Sequence, residues 1–266
     1  MDVPITTVKP SIDSIQVMKS INEYFGQPVE QLIPIGSGQI SSAFSFRVAG
    51  QDYIIRFVTN KMAMSFGKDQ FAFQKLSSSS IPVPPIIYSS TFNDFHFAIS
   101  RKVSGVPLDE LPSDDYRQLI PTVVEMLDAI SQIDIADTEN WGLFNGEGVG
   151  LFPSWPDLLL SVAKQDADDN FYGRWHSLFD ETFLDRELFD HIYGQMTVLL
   201  EYCPADRFLV HGDYGFGNIL AEDGKITAVL DWANALYGDF VYDIAWLDLY
   251  SPGQDIQSRF QQYYQD

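Results

Sequence analysis

Three polar residues late in the chain have the types and spacing to handle a phosphoryl group. His211-Gly212-Asp213 is followed by Asn218, and a second acidic residue, Asp231, stands further on. Apolar residues run into His211, and Gly215 and Gly217 sit in the loop after it. Ile219–Leu220 and Ile226–Leu230 read as two short strands, joined by a tight turn at Glu222-Asp223-Gly224-Lys225. Strands joined in that way lie side by side. Asn218, just before the first, and Asp231, just after the second, therefore emerge at the same end of the hairpin. A carboxylate on a loop, with an amide and a carboxylate at a hairpin base, suits metal-assisted phosphoryl transfer. Asp213 would accept the proton of a hydroxyl, while Asn218 and Asp231 would hold Mg²⁺ on nucleotide phosphates. Taken singly, Asp213, Gly215, Gly217 and Asn218 are ordinary turn formers. Taken together, H-G-D-x-x-x-x-N and a strand ending in Asp-Trp have the spacing of a kinase catalytic loop and its downstream metal-binding Asp.

The elements that must position these residues can be followed from the N-terminus. Ser11 to Phe25 reads as a helix, capped by Ser11 and ended by Gly26 and Pro28. Leu32–Ile35, Ala43–Val48 and Tyr53–Val58 read as strands, the last two turned at Ala49-Gly50-Gln51-Asp52. Between the first two lies Gly36-Ser37-Gly38-Gln39-Ile40-Ser41-Ser42. Its small residues let backbone N–H groups approach an anion, and its hydroxyls add donors; a plain hairpin loop has the same composition. Arg56 falls in an apolar run, where a buried cation needs a partner, unless the strand is an edge that turns Arg56 to water. A helix is expected from about Ser65 to Leu76, and strands at Ile86–Phe92 and Phe95–Ser100. Beyond Gly105 the pattern turns helical. Ser113, Asp114 and Asp115 open a helix to about Ile133, with Pro121 as an early-turn position or a kink. Residues 140–156 are rich in Gly, Pro and aromatics, and 157–203 are helical with a break near Asp168–Gly173. Ile244–Tyr250 is a further helix with Asp239 as its cap, and another starts at Asp255.

With these motifs in place, residues from about 35 to 250 resemble the aminoglycoside phosphotransferase family, a branch of the protein-kinase-like fold. The stretch from Asp223 to Asp239, containing Val-Leu-Asp-Trp, is most similar to the hygromycin B phosphotransferases of that family. The resemblance implies an α+β, two-lobed fold. Residues 1–100 would form a nucleotide-binding lobe, an antiparallel sheet with helices. Residues 101–266 would form a mainly helical catalytic and acceptor-binding lobe, with the hinge near 99–105. It further implies that Gly36, Ser37, Gly38, Ser41 and Ser42 cover the phosphates of ATP, or of GTP. Arg56 would pair with Asp69, where the wider family has Glu. The backbone of Ser100, Arg101 and Lys102 would meet adenine, and Asp243 would support the catalytic loop.

Charge bears on the acceptor. Residues 1–100 carry 7 basic and 7 acidic side chains; residues 101–266 carry 9 and 30, so the whole net charge of −21 lies after residue 100. Such a surface repels a polyanion such as nucleic acid and attracts a polycation, although acidic surfaces also serve solubility alone. Asp168, Asp169 and Asp180 lie near Trp175, and carboxylates among aromatics suit an aminated sugar; Trp141, Phe152, Trp155, Phe171 and Tyr172 could line such a cleft or form core. A single cysteine, Cys203, excludes an intrachain disulfide. There is no long apolar run and no basic-then-apolar leader, which leads to the expectation of a cytoplasmic protein off the membrane, as a monomer. The resulting reading is an ATP- and Mg²⁺-dependent kinase of a small cationic acceptor, an aminoglycoside or aminocyclitol. A kinase of choline, an amino acid or a sugar is the alternative within the same fold, and a non-catalytic nucleotide-binding protein fits Asp213, Asn218 and Asp231 less well.

Overall fold

The computed structural model describes residues 9–36, 38, 40–164 and 175–265. Helix α1 (Ser14–Phe25) is opened by a capping box in which Asp13 accepts from the Gln16 N–H and Gln16 returns the bond; Asp13, not Ser11, is the cap. Gly26 closes the helix in the left-handed conformation, its N–H on the Asn22 carbonyl. Strands β1 (Gln31–Ile35), β2 (Ser42–Val48) and β3 (Gln51–Thr59) follow, then helix α2 (Met64–Leu76), β4 (Ile86–Phe92) and β5 (Phe95–Arg101). They form one antiparallel sheet in the order β1-β2-β3-β5-β4. Alternate residues Phe46, Ile55, Phe57, Phe97 and Ile99 point to one face and pack with Val17 and Ile21 of α1. Each such side chain, fully buried, contributes about 1.5–3 kcal/mol.

Helix α2 belongs to two cores at once. Phe66 packs with Val58 and Ala98 of the sheet, while Ala72 and Leu76 enter the larger core of the following half. The chain then passes Lys102, whose N–H bonds the Asp52 carbonyl, and Gly105. Gly105 has φ +111°, and a Cβ there would lie 2.8 Å from the Ala221 carbonyl oxygen, so this link is drawn close to the later hairpin.

Beyond it come β6 (Val106–Pro107), α3 (Ser113–Ser131), β7 (Trp141–Phe144), β8 (Gly150–Phe152), α4 (Trp155–Ser161), α5 (Leu178–Glu181) and α6 (Arg186–Leu199). The chain continues through β9 (Phe208–Val210), β10 (Ile219–Glu222), β11 (Lys225–Val229), β12 (Leu236–Gly238), α7 (Val241–Tyr250) and α8 (Ile256–Tyr263). Helix α3 runs through Pro121 and buries Leu119, Ile120, Val123, Val124, Leu127 and Ile130. Two small sheets, β11-β10-β6 and β8-β7-β12-β9, lie among the helices. Strands β7 and β8 lie in the Gly-, Pro- and aromatic-rich stretch 140–156, where β12 pairs with β7 from a distance in sequence. Trp155 is core, packed with Val210 and Leu236. Helix α7 begins before Ile244, and Asp239 accepts the N–H of Val241. No helix among the described residues is long and apolar enough to cross a membrane. The architecture is the α+β, kinase-like one, an N-terminal sheet followed by a mainly helical part.

Candidate active site

Strand β9 ends in the core and delivers His211, fully buried. Its Nε2 lies 2.9 Å from the Leu230 carbonyl, and its Nδ1 accepts from the Asp213 N–H at 3.2 Å. Nε2 therefore carries the proton. Burial pushes the imidazole down to about 4, so it stays neutral. Gly212 has φ +81°, and a Cβ there would fall 2.2 Å from the Asn234 carbonyl oxygen. Asp243, from α7, accepts the His211 N–H at 2.7 Å and the Gly212 N–H at 2.9 Å. Burial raises Asp243 to about 7, and those two donors pull the other way. Tyr214, also buried, donates to the Val123 carbonyl at 3.2 Å. The backbone on both sides of Asp213 is thus fixed by groups from α3, α7 and the hairpin.

Asp213 itself is held by Asn218, whose amide donates to the Asp213 carboxylate at 3.1 Å and to its carbonyl at 2.9 Å. The Trp246 side chain is a second hydrogen-bond partner. Partial burial raises the Asp213 pKa, and these two bonds oppose the rise.

The hairpin has the expected form. Ile219 faces Val229, and the Leu230 N–H meets the Asn218 carbonyl at 2.8 Å, so Asp231 emerges beside Asn218. Asp231 is left-handed, at φ 60° and ψ 65°. Burial raises its pKa, the Asp69 and Asp213 carboxylates add to the rise, and Arg56 opposes it. Arg56 Nη2 meets Asp69 Oδ2 at 2.5 Å, with its guanidinium over the Phe66 ring. The other Asp69 oxygen accepts the Trp232 N–H at 3.0 Å. A side chain one methylene shorter than Glu suffices here because α2 packs directly on the turn after Asp231.

These groups border a cleft of about 460 Å³. Gly38, Ser41, Arg56, Asp69, Ser100, Arg101, Lys102, Asn218 and Asp231 line it. Asp213 is joined to that wall through Asn218. Gly36 and Ser42 do not line the cleft; Ser42 is buried at the start of β2 and its hydroxyl donates to the Pro10 carbonyl. A larger hollow of about 670 Å³ between α2 and β4 holds none of the predicted residues. Ser37, Asp168, Asp169, Phe171 and Tyr172 lie outside the described residues. Trp175 packs with Phe179 and Phe189, ring centres 5.3 and 4.9 Å apart, and neither it nor Asp180 borders the cleft.

Two participants escaped the sequence reading. Trp246 reaches Asp213 from α7, where Tyr242, Trp246 and Tyr250 recur at the spacing of one helix face; Tyr242 stacks on Trp246, and Tyr250 meets it at a tilt. Lys68, buried in α2, donates to the Ala233 and Ala235 carbonyls. Among the described residues no three His, Cys, Asp or Glu side chains form a metal cage. A hard cation held by one or two oxygen side chains and by substrate phosphates needs none.

Residues 31–265 match the phosphotransferase enzyme family (APH). The chain belongs to that family. Hygromycin-B 4-O-kinase of Escherichia coli is 32% identical to this phosphotransferase over 245 residues, which are 92% of this chain and 69% of that protein. Aminoglycoside 3'-phosphotransferase of Enterococcus faecalis is 25% identical over 169 residues, 62% of this chain and 58% of that one. Among solved structures, a thermostable mutant of aminoglycoside phosphotransferase APH(4)-Ia, in ternary complex with ADP and hygromycin B, superposes with a TM-score of 0.80 at 30% identity. The match covers 94% of this chain and 82% of that one. Its complex with AMP-PNP and hygromycin B gives 0.76 at 30% identity and the same coverage.

Proposed function

We propose that this phosphotransferase moves the γ-phosphoryl group of ATP to a hydroxyl of an aminoglycoside or aminocyclitol of the hygromycin B kind, and so confers resistance to it. The observation that carries the reading is the meeting of Asp213, Asn218, Asp231 and Arg56 at one end of the cleft. Identity to a hygromycin-B kinase over most of the chain supports the choice of acceptor. Asp213 accepts the hydroxyl proton as the oxygen attacks the γ-phosphorus; the bond to the bridging oxygen breaks and ADP leaves. Its raised pKa suits a group that takes a proton in the transition state. Asn218 keeps the Asp213 carboxylate aimed, and Arg56, braced by Asp69, faces the phosphates.

Asn218 and Asp231 fit Mg²⁺: both offer hard oxygens, and the Asp231 carboxylate, crowded by Asp69 and Asp213, is relieved by a positive charge. The ion, when bound, would neutralise phosphate charge. Gly38 and Ser41 approach the phosphates, and the backbone of Ser100, Arg101 and Lys102 meets the base. The proposal includes a division into two lobes near 99–105 and a monomeric, cytoplasmic enzyme. Asp168, Asp169, Trp175 and Asp180 are proposed for the acceptor on their charge and aromatic character.

The test is nucleotide consumption against hygromycin B, other aminoglycosides and choline, with the acceptor KM followed as salt rises. A polycation drawn to an acidic surface should lose affinity several-fold between low salt and ~0.5 M, well past the ~0.1 M where the Debye length is about 10 Å. Turnover with an uncharged sugar equal to that with hygromycin B, or a salt-independent KM, sinks the cationic-acceptor reading.

A further inference from the structure

Two consecutive residues of α2 grip the same turn. Asp69 accepts the Trp232 N–H at 3.0 Å. Lys68 sends its ammonium past the Phe144 ring, 5.1 Å from the centroid, to the carbonyls of Ala233 and Ala235 at 3.0 and 3.1 Å. These carbonyls belong to residues two and four places after Asp231. Lys68 is buried, and a buried cation is costly unless its protons find acceptors. A residue serving only to fill this space would be apolar. Burial lowers the Lys68 pKa to about 8, and Asp69 beside it favours the charge, so the ammonium persists at neutral pH.

What needs holding is the backbone at Asp231. A left-handed residue other than Gly is sparsely populated and costs on the order of 1–3 kcal/mol unless its surroundings fix it. On one side the Leu230 N–H is taken by the Asn218 carbonyl; on the other the Trp232 N–H is taken by Asp69. In the turn beyond, the Ala235 N–H takes the Trp232 carbonyl, and Lys68 takes the carbonyls of Ala233 and Ala235. We propose that Lys68 is a positioning residue for phosphoryl transfer: through the 233–235 backbone it fixes where the Asp231 carboxylate stands relative to Arg56, without touching the nucleotide. The same helical turn then sets the phosphate-bracing group, through Asp69, and the metal-holding group, through Lys68. This rests on the reading of Asp231 as a metal ligand.

The experiment uses the whole protein with Lys68→Met, which keeps length and loses the donors, and Lys68→Arg, which keeps charge and donors. Calorimetry measures AMP-PNP affinity with and without Mg²⁺, and kinetics measure kcat and both KM values. Lys68→Met should weaken the Mg²⁺-dependent part of nucleotide binding, and lower kcat, about tenfold, the usual effect of losing a group that orients a metal ligand. Acceptor KM should stay within about twofold, since an acceptor contact is not involved. Lys68→Arg should recover most of the loss. A Lys68→Met protein with a lower Tm but wild-type Mg²⁺ response and kcat makes Lys68 a packing residue and overturns the inference alone. A wild type whose nucleotide binding ignores Mg²⁺ overturns the reading of Asp231, and this inference with it. If Lys68→Met does not fold, Lys68→Gln, which retains one donor group, is measured in the same way. Failure of both to fold assigns Lys68 to folding and equally ends the proposal.

Discussion

The segment from His211 to Asp243 and the segment from Arg186 to Leu199 are built on opposite plans. In the first, His211, Tyr214, Ile219, Val229, Trp232, Tyr237 and Asp243 are all at most 2% exposed, and their polar groups bond one another or nearby backbone. In the second, α6 has no buried residue, and Leu188, Ile192 and Val198 are 57%, 54% and 69% exposed. A reacting constellation must be held to within ~0.5 Å, which needs locked rotamers and satisfied polar partners. A helix such as α6, whose side chains meet water in this conformation, is under no such constraint. Substitutions should therefore act very differently in the two segments.

The largest effect is expected at the centre of the first. Asp213→Asn retains an oxygen that can accept from Asn218 and from Trp246, so the loop should keep its shape. It loses the ability to take a proton. Turnover should fall by about 10²–10⁴ while nucleotide affinity stays near that of the wild type. Stopped assays and calorimetry on one preparation check both halves. Turnover within about threefold of wild type removes Asp213 as the base.

Legibility in the sequence divides along the same line. The hairpin could be read because its strands flank an Asp-Gly turn, which pairs Glu222 with Lys225; the one-residue register shift between Leu220 and Ala221 that brings Ile219 opposite Val229 has no such mark. The β1–β5 strands and α2 were also readable, from alternation and from the 3.6-residue period. Strands β7 and β8 were not: Gly and aromatic residues at 140–156 give no alternation, and pairing with β12 imposes the extended form. Ser42 read as a phosphate donor because hydroxyls near glycines often are; the pleat of β2 turns it inward to Pro10. Nothing in the sequence singles out Lys68, because its acceptors are backbone carbonyls 165 and 167 residues away, which no side-chain pattern marks.

A smaller, pH-dependent effect should expose the balance inside the first segment. His211 titrates at about 4 in the fold against an ordinary 6.5, so as pH falls through that window the unfolded chain takes up the proton first and stability is lost. Asp243 titrates at about 7 against 3.8, so over its window the folded form holds the proton and stability is gained as pH falls. Between about pH 4.5 and 6.5 the two slopes oppose each other, each at most about 1.4 kcal/mol per pH unit. Asp243→Asn removes one of them. Urea unfolding across that range should show the variant losing stability relative to wild type as pH falls; parallel curves would mean that the two groups are not both perturbed in these directions.

The smallest effect is expected on α6. Leu188→Gln and Ile192→Gln replace exposed apolar side chains by a residue of similar helix propensity, so neither the helix nor a core should register the change. An apolar group that stays in water in the folded state gains no burial energy on folding, and removing it subtracts none. Each variant should lie within about 0.5 kcal/mol of wild type in urea unfolding, the range of surface substitutions away from special features. The nucleotide KM should move little, because neither residue borders the cleft. A cost near 2 kcal/mol at either position would contradict the exposure, since that is the worth of burying such a side chain. The face would then be covered in solution, and the contrast between the two segments would narrow to a contrast between an internal core and an interface. Sedimentation at two protein concentrations separates the possibilities: a second copy on α6 makes both the mass and the cost of Ile192→Gln depend on concentration, whereas a bare helix leaves both unchanged.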